Sequence, residues 1–407
     1  MDPVLWRRSP ALAGVLGRPC RWEVGNVRKK LAALLVGGAL LVGCSSNVEQ
    51  GSPSPVGGDS PPVAKLTANP ADGAKDVPVN SPVKVEVQDG AIDQVAVTNP
   101  EGQSVKGALA EDKRSWASTE PLGFGKQYSY SGKATGSDGK PVELTGSFTT
   151  LAPASQVRAT LFPGDDQVMG VAVPIKVEFD VDVQDKATVE KALTVTSSAN
   201  VQGSWAWLNA REVHYRPENY WPANTKIRVE AKLYGVAYGG GAYGRADVTS
   251  DFTIGRNQVV KIDTPSHQLV VQRDGQTVKS YPASFGKDDE PDLNTPNGTF
   301  VVMQKDPQFS FDNPRYGYTN VLKKWAVRFS NHGEFIHENN DNLANIGKNN
   351  TSHGCANLSE ADAKDYYDSA LVGDPVEVTG ASHTLPPQFD WYDWQIPWSQ
   401  WQTMSAL

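Results

Sequence analysis

The chain has 407 residues, enough for roughly two to four domains, and its 37 glycines and 28 prolines favour turn-rich β domains over helical bundles. Its three cysteines, at positions 20, 44 and 355, are too few for a disulfide scaffold or a cysteine-rich zinc site. A formal net charge of −8 argues against a general nucleic-acid binder.

The first 43 residues differ from the rest in charge, with a net charge of +5 against −13 for the remainder. The basic run Arg28-Lys29-Lys30 precedes the uncharged residues 31–43, a stretch too short to span a bilayer core about 30 Å thick. A basic run followed by a short apolar core predicts a secretory signal peptide over residues 1–43. We expect residues 1–26 to be a start-site artefact, which leaves the first cysteine without a role.

Residues 41–44 (LVGC) resemble the bacterial lipoprotein signal. The resemblance implies that Cys44 becomes the lipidated first residue, so that the protein is anchored to the cell membrane on its outer side, facing the cell wall. The alternative is an uncleaved anchor with an incidental cysteine. Twelve of the 18 residues 45–62 are Ser, Gly or Pro, so residues 44–62 are predicted to form a flexible tether.

Two β modules are predicted over residues 63–152 and 153–255. Residues 83–87 (VKVEV) alternate apolar and polar side chains, as half-buried strands do. The stretch 82–86 (PVKVE) recurs as 174–178 (PIKVE), so the second module repeats the outline of the first. Short strands at regular spacing over about 90–100 residues predict immunoglobulin-like β-sandwiches without the antibody cysteine pair.

Several aromatic residues of the second module allow two interpretations. Trp205, Trp207 and Trp221 fit either a sugar-stacking surface or packing in the core and at an edge, and we favour packing. The Gly-rich stretch 234–244 is a natural place for the extra length of this module, and we expect it to carry no chemistry.

The third cysteine lies in a pattern that points to nucleophilic catalysis. Cys355 follows Ser352-His353-Gly354, and His337 lies 18 residues before it. A thiolate is a nucleophile, and a nearby imidazole can take the thiol proton. A glycine before the nucleophile allows a sharp turn that directs N–H groups toward a reacting carbonyl. A metal site and a buried inert cysteine are the alternatives, but the first has few candidate ligands and the second does not explain the histidines.

These residues resemble the signature of the L,D-transpeptidase family, in which a histidine is followed after 14–17 residues by Ser/Thr-His-Gly-Cys, one variable residue and Asn. The resemblance covers about residues 256–379 and includes a β-hairpin over 268–278, Gly286 and the Thr-Pro-x-Gly segment from Thr295. It implies a mainly β chain: two Ig-like domains, then a catalytic β-domain with a short helix, and a tail over residues 380–407.

The resemblance also implies roles for individual residues. Cys355 would be the nucleophile and His337 the general base, whose other ring nitrogen is held by a backbone carbonyl. The N–H groups around His353, Gly354 and Cys355 would form an oxyanion hole. Glu338, directly after the base, is expected to raise the pKa of the histidine.

Further residues of the domain are assigned on the same basis. Substrate-side positions are Tyr316 and Tyr318 on a lid over residues 306–324, together with Ser352 and Asn357, which also pin the nucleophile loop through hydrogen bonds. His267 and His332 are expected to be surface or structural residues.

The segments that follow the nucleophile carry helix and strand signals. Ser359 is a predicted helix N-cap, with a helix to about residue 371 and a closing strand from residue 375. In the tail, the spacing of Trp394, Trp398 and Trp401 predicts a helix that docks on the catalytic domain or on the second sandwich, with substrate stacking as the alternative.

The implied activity is that of a peptidoglycan L,D-transpeptidase that forms 3→3 cross-links. Its partners would be peptidoglycan stem peptides and, as inhibitors, carbapenems, with no metal or organic cofactor. Hydrolysis of the same acyl-enzyme, as in an L,D-carboxypeptidase, and attachment of a protein to peptidoglycan are alternatives. A wall-binding lipoprotein whose sandwiches do the work is a further alternative that the paired cysteine and histidine disfavour.

Overall fold

The computed structural model describes residues 61–386 and 391–407, apart from the side chain of Arg315. The expectations for residues 1–60, including the signal peptide and lipidation of Cys44, lie outside the described residues. Among the helices that are described, none is long and apolar enough to cross a membrane.

The first β module is a sandwich of two four-stranded sheets, which confirms the predicted fold. Its core is built from alternating inward-facing residues such as Val83, Val85 and Phe148, which are almost fully buried. One sheet has the order β1-β3-β6-β5 and the other β2-β8-β7-β4. The strands are β1 (Lys65–Asn69), β2 (Ala74–Val77), β3 (Lys84–Gln88), β4 (Gly90–Thr98), β5 (Gly107–Leu109), β6 (Ser115–Ser118), β7 (Gln127–Gly136) and β8 (Pro141–Thr150).

The second module is also a sandwich, with the sheets β10-β12-β15-β14 and β11-β19-β16-β13 and a small third sheet, β17-β18-β9. A short helix, α1 (Lys186–Glu190), is capped by the side chain of Asp185. The strands are β9 (Ser155–Val157), β10 (Ala159–Phe162), β11 (Val168–Met169), β12 (Ile175–Phe179), β13 (Leu193–Ser197), β14 (Gly203–Trp207), β15 (Glu212–Pro217), β16 (Lys226–Ala231), β17 (Ala237–Gly239), β18 (Ala242–Gly244) and β19 (Val248–Ile254).

The aromatic residues of the second sandwich are packing residues. Trp205, Trp207 and Trp221 are between 1% and 8% exposed and belong to its hydrophobic core. The Gly-rich stretch 234–244 forms strands β17 and β18 and contacts the first sandwich, where Tyr234 donates a hydrogen bond to the carbonyl of Leu122 and its ring packs 5.1 Å from Phe124. This stretch therefore joins the two sandwiches.

The catalytic domain predicted from residue 256 onward consists of two sheets around one core. A five-stranded sheet has the order β22-β21-β20-β28-β23 and a four-stranded sheet the order β24-β25-β26-β27, with parallel pairing between β26 and β27. The elements are β20 (Gln258–Asp263), β21 (Gln268–Arg273), β22 (Gln276–Pro282), β23 (Gly298–Val301), β24 (Gln304–Asn313), β25 (Tyr318–Arg328), β26 (Phe335–Glu338), β27 (Ala356–Leu358), α2 (Glu360–Ser369) and β28 (Pro375–Thr379).

Several local predictions for this domain are confirmed. The hairpin over 268–278 is β21 and β22. Helix α2 begins after Ser359, whose hydroxyl accepts a hydrogen bond from the N–H of Asp362 at 3.2 Å, and the closing strand is β28. Short 3₁₀ turns cover Thr264–Ser266, Pro291–Leu293, Pro314–Tyr316, Asn340–Asn342 and, in the tail, Asp393–Gln395.

The tail docks on both predicted positions: its residues Leu385 and Tyr392 belong to the core of the catalytic domain, and its tryptophans pack on the second sandwich. The guanidinium of Arg216 lies 4.6 Å from the ring centroids of both Trp394 and Trp401 and 5.3 Å from that of Trp398. The prediction of one helix through all three tryptophans was wrong, because Pro397 caps a separate helix, α3 (Trp398–Gln402), and Trp394 lies on the preceding 3₁₀ turn.

Candidate active site

The nucleophile loop, residues 351–355, runs beside the segment that follows β22 and leads into β27. The N–H of Ser352 donates to the carbonyl of Phe285 at 2.9 Å, and its own carbonyl accepts from the N–H of Lys287 at 3.2 Å. These bonds hold the start of the loop beside the segment that follows β22. Cys355 is therefore the residue immediately before the first residue of β27.

A single hydroxyl holds the middle of this loop. Thr295 is fully buried, and its Oγ1 donates to the carbonyl of Gly354 at 2.8 Å while accepting from the N–H of Gly286 at 2.9 Å. Gly286 needs to be glycine, because a Cβ there would lie 2.1 Å from the carbonyl oxygen of Leu293. The Thr-Pro-x-Gly segment of the sequence therefore supports the nucleophile loop.

The turn before Cys355 depends on glycine and on Ser352. Gly354 has a φ of +110°, a conformation that residues with a Cβ rarely adopt. The Ser352 hydroxyl donates to the carbonyl of Cys355 at 2.6 Å and accepts from the N–H of Gly354 at 3.2 Å. The Gly354 N–H is thus engaged inside the loop, in contrast to its expected place in an oxyanion hole, and the N–H groups of His353 and Cys355 remain as the expected donors.

Asn357 and Ser352, which were expected on the substrate side, are 2% and 8% exposed. The backbone of Asn357 exchanges two hydrogen bonds with Ser284, at 2.8 and 3.0 Å. The contacts described for both residues are therefore internal to the protein.

His337 lies in the middle of β26, paired with Asn357 of β27, and is buried. Its Nδ1 lies 2.6 Å from the backbone carbonyl of Glu338. A carbonyl only accepts hydrogen bonds, so Nδ1 carries the proton and Nε2 has a free lone pair. This is the backbone contact that the resemblance implied.

Burial lowers the pKa of His337 to about 4. The hydrogen bond to the Glu338 carbonyl and the Glu338 carboxylate act in the raising direction, whereas the charge of Lys323 lowers the pKa further. The expected raising effect of Glu338 is therefore present, but the net pKa is lowered because loss of hydration outweighs the nearby carboxylate. The imidazole is neutral at physiological pH.

The thiol of Cys355 is also held in its neutral form. Cys355 as a whole residue is partly exposed, but its sulfur is buried, and this burial raises the pKa of the thiol to about 12. A hydrogen bond from the backbone amide of Phe335 acts in the lowering direction, and the charge of Glu334 acts in the raising direction. The Sγ–H contacts the carbonyl of Gly333 at 3.8 Å. In this resting arrangement, both reacting groups are uncharged.

The lid hairpin, which consists of β24, β25 and the turn between them, covers the base. Its residues Phe309 and Phe311 pack 4.8 Å from the ring of Phe335, and Phe311 also lies 5.0 Å from the ring of His337. Sequence reasoning missed this aromatic cluster, although the alternation in Phe309-Ser310-Phe311 placed both rings on one face of a strand.

The turn of the lid hairpin lies beside the nucleophile loop. The rings of Tyr316 and Tyr318 are 5.2 and 5.5 Å from the exposed ring of His353. Burial raises the pKa of Tyr318, and the charge of Cys355 acts in the same direction. The structure thus brings together the lid tyrosines and the cysteine motif, which are about 40 residues apart in sequence.

Two other histidines of the catalytic domain have structural contacts. The Nδ1 atom of His267 lies 2.9 Å from the side chain of Asn350, and that of His332 lies 2.6 Å from the carboxylate of Glu334. Within residues 61–386 and 391–407, no three His, Cys, Asp or Glu side chains are placed to hold a metal ion.

Two protein families match the chain. A bacterial Ig domain matches residues 74–237, which include parts of both sandwiches, and an L,D-transpeptidase catalytic domain matches residues 257–378, which include the cysteine motif.

Relatives match over most of the length. L,D-transpeptidase 5 of Mycobacterium tuberculosis is 43% identical over 393 residues, which cover 94% of this chain and 86% of that protein. L,D-transpeptidase 2 of the same species is 37% identical over 84% of this chain and 85% of its own length. A solved structure of an L,D-transpeptidase in complex with imipenem is 30% identical, with a TM-score of 0.47, and covers 56% of this chain and all of that one. The chain belongs to the L,D-transpeptidase family.

Proposed function

We propose that the protein forms 3→3 cross-links in peptidoglycan through an acyl-enzyme on Cys355. The donor would be a tetrapeptide stem, and the acceptor a side-chain amine of a neighbouring stem. The observation that carries the proposal is the bond from His337 Nδ1–H to the Glu338 carbonyl, since it leaves Nε2 as a neutral base on the strand paired with the one that follows Cys355.

The first half-reaction is an acyl transfer to sulfur. As Cys355 Sγ attacks the carbonyl on the L-centre of the donor's third residue, His337 Nε2 takes the thiol proton, and the developing oxyanion is stabilised by backbone N–H groups of the nucleophile loop. The C–N bond to the terminal D-alanine breaks, and the leaving amine takes the proton from His337. The product is a thioester and free D-alanine.

The second half-reaction regenerates the thiol. The acceptor amine attacks the thioester carbonyl, His337 takes a proton from this amine, and the C–S bond breaks to give an amide. The thiolate is then protonated by His337, so the site returns to two neutral groups. The lid hairpin supports this scheme, because its aromatic side chains keep water from the base.

The direct test is incubation of the purified protein with a defined tetrapeptide stem, with and without a second stem as acceptor. We expect release of D-alanine and, with the acceptor, a dimer whose mass spectrum gives a 3→3 bond. Cys355→Ala should abolish both products. Release of D-alanine without dimer, at every acceptor concentration, would indicate an L,D-carboxypeptidase, and release by the Cys355→Ala variant would refute the acyl-enzyme.

We also propose that carbapenems acylate Cys355, since a thiol beside a neutral base attacks a strained lactam carbonyl in the same way as a peptide carbonyl. Imipenem is the probe, and intact mass should increase by one imipenem per chain. The Cys355→Ala variant should show no increase. A pure binding protein would show no adduct in either form.

The membrane attachment is a proposal that rests on residues 28–44 alone. We propose that Cys44 is lipidated and that the protein faces the cell wall from the outer side of the membrane. Two or more acyl chains are needed for stable anchoring. Metabolic labelling with a fatty acid should mark the wild-type protein and leave Cys44→Ala unlabelled, and labelling of both forms would refute the assignment.

A further inference from the structure

Glu334 is a buried carboxylate next to the nucleophile that the proposed reaction does not use. Its side chain is 3% exposed, and its Oε1 lies 2.6 Å from Nδ1 of His332. Its Oε2 has no hydrogen-bond partner among the described residues and is shielded from solvent. Burial of a carboxylate oxygen without a hydrogen-bond partner costs free energy, so its retention indicates that Glu334 has a functional role.

The carboxylate is in contact with the nucleophile loop. A Cβ placed on Gly354 would lie 3.4 Å from Glu334 Oε1, so this oxygen packs directly against the residue before Cys355. The preceding carbonyl, that of Gly333, accepts the thiol's contact at 3.8 Å. Glu334 therefore lies between a residue that contacts the thiol and strand β26, which carries His337.

The charged and titratable groups around Glu334 and the thiol come from four elements. His332 precedes Glu334 in the same segment, and its pKa is raised first by the hydrogen bond to Glu334 and also by the charge of Asp292. Tyr392 of the tail segment feels the charge of Glu334. The pKa of Tyr318 in the lid is raised by burial first and also by the charge of Cys355, and His337 is neutral. Glu334 is thus a buried carboxyl group whose charge acts on the thiol.

We propose that Glu334, held by His332, is a positioning residue that braces the loop at Gly354 and adds to the burial that keeps Cys355 a neutral thiol until His337 takes its proton. The negative charge disfavours a free thiolate beside it, so reaction requires proton transfer to the base while the sulfur attacks a bound carbonyl. General electrophiles that need a preformed thiolate then react slowly. The proposal rests on Cys355 as the proposed nucleophile.

The test measures alkylation of Cys355 by iodoacetamide between pH 7.5 and 9.5, with intact mass as the readout. This reaction needs thiolate and no peptidoglycan. In the wild-type protein we expect the rate to rise with pH over the whole range, and a plateau below pH 9 would overturn the proposal without any variant.

Two substitutions separate charge from shape. Glu334→Gln removes the charge and keeps the size, so its alkylation rate at pH 8.5 should be at least about threefold higher, which corresponds to half a pKa unit. Glu334→Asp keeps the charge and should follow the wild-type profile within about twofold. Equal profiles for Glu334→Gln and wild type, or a matching acceleration in Glu334→Asp, would overturn the proposal.

A control and the activity assay complete the design. Glu190→Gln removes a buried carboxylate of the second sandwich that is not among the groups acting on the thiol, and it should leave the profile unchanged. Acceleration in this variant as well would overturn the assignment to Glu334. Alkylation that follows the predicted pattern without any release of D-alanine would retain this inference while refuting the proposed function.

Discussion

Trp401 offers the most direct test of how the tail is held. Its side chain is fully buried between Ala206 and Ile396, and its Nε1 donates to the carbonyl of Ser204 at 2.9 Å. The guanidinium of Arg216 lies 4.6 Å from its ring centroid. We therefore expect Trp401→Ala to remove a packed ring, a hydrogen bond and a cation–π contact together.

The expected cost follows from burial. Replacing a fully buried tryptophan by alanine destabilises a protein by about 3–5 kcal/mol, and here the loss falls on docking of the tail. A loss of about 3 kcal/mol raises the undocked population of the tail about a hundredfold. The N–H groups that depend on docking, such as that of Ala406, which donates to Glu190 at 2.8 Å, should lose protection accordingly.

Hydrogen exchange followed by mass spectrometry on peptides from residues 396–407 measures this population. Trp398→Ala is the matched control, because it lies on the same helix, is half-buried and is 5.3 Å from Arg216. We expect its exchange to accelerate by about tenfold or less. If Trp401→Ala accelerates exchange by less than tenfold, or no more than Trp398→Ala does, the burial argument fails.

Three further predictions concern the sandwich and the active site. Burial alone would lower the pKa of His214, but the carboxylates of Asp393 and Glu212 raise it to about 10. Stability from this histidine is therefore complete below pH 6.5 and is lost as pH rises toward 10, so urea unfolding should show this loss in the wild-type protein and not in His214→Gln. Thr295→Val should lower the free energy of unfolding by about 1–3 kcal/mol, because two backbone groups lose their partner, whereas Thr319→Val at an exposed position should change it little. The rate of imipenem acylation should vary less than about twofold from pH 5.5 to 8.5, since neither reacting group titrates there, and a sigmoid centred near pH 6.5 would contradict this.

Local patterns were sufficient to predict many elements and to select the candidate reactive pair. Alternation in residues 83–87 marked a strand, Ser359 marked a helix start, and the motif spacing identified His337 and Cys355. These signals depend on neighbours in sequence, so they can be recognised without knowledge of the tertiary structure.

The rest of the site depends on contacts between distant segments. Glu334 gains its importance because parallel pairing of β26 with β27 brings its loop beside Gly354. Phe311 reaches the base because the lid hairpin folds back over β26. In the tail, Pro397 could have predicted the break between Trp394 and Trp398 from the sequence. The residue before a proline avoids helical geometry, and Ile396 is indeed extended.

The opposite pKa shifts at the two reacting groups have one cause. Burial disfavours the charged form of each group, so it raises the pKa of Cys355 to about 12 and lowers that of His337 to about 4. Proton transfer from thiol to imidazole, taken as an isolated step, would then cost roughly 10 kcal/mol before the attraction of the two new charges is counted. Burial therefore disfavours a preformed ion pair. Proton transfer becomes favourable only when the sulfur forms its bond to carbon and the charge moves to an oxyanion near the loop N–H groups. In the proposed reaction, the reactivity of the site therefore depends on the donor carbonyl as much as on the thiol.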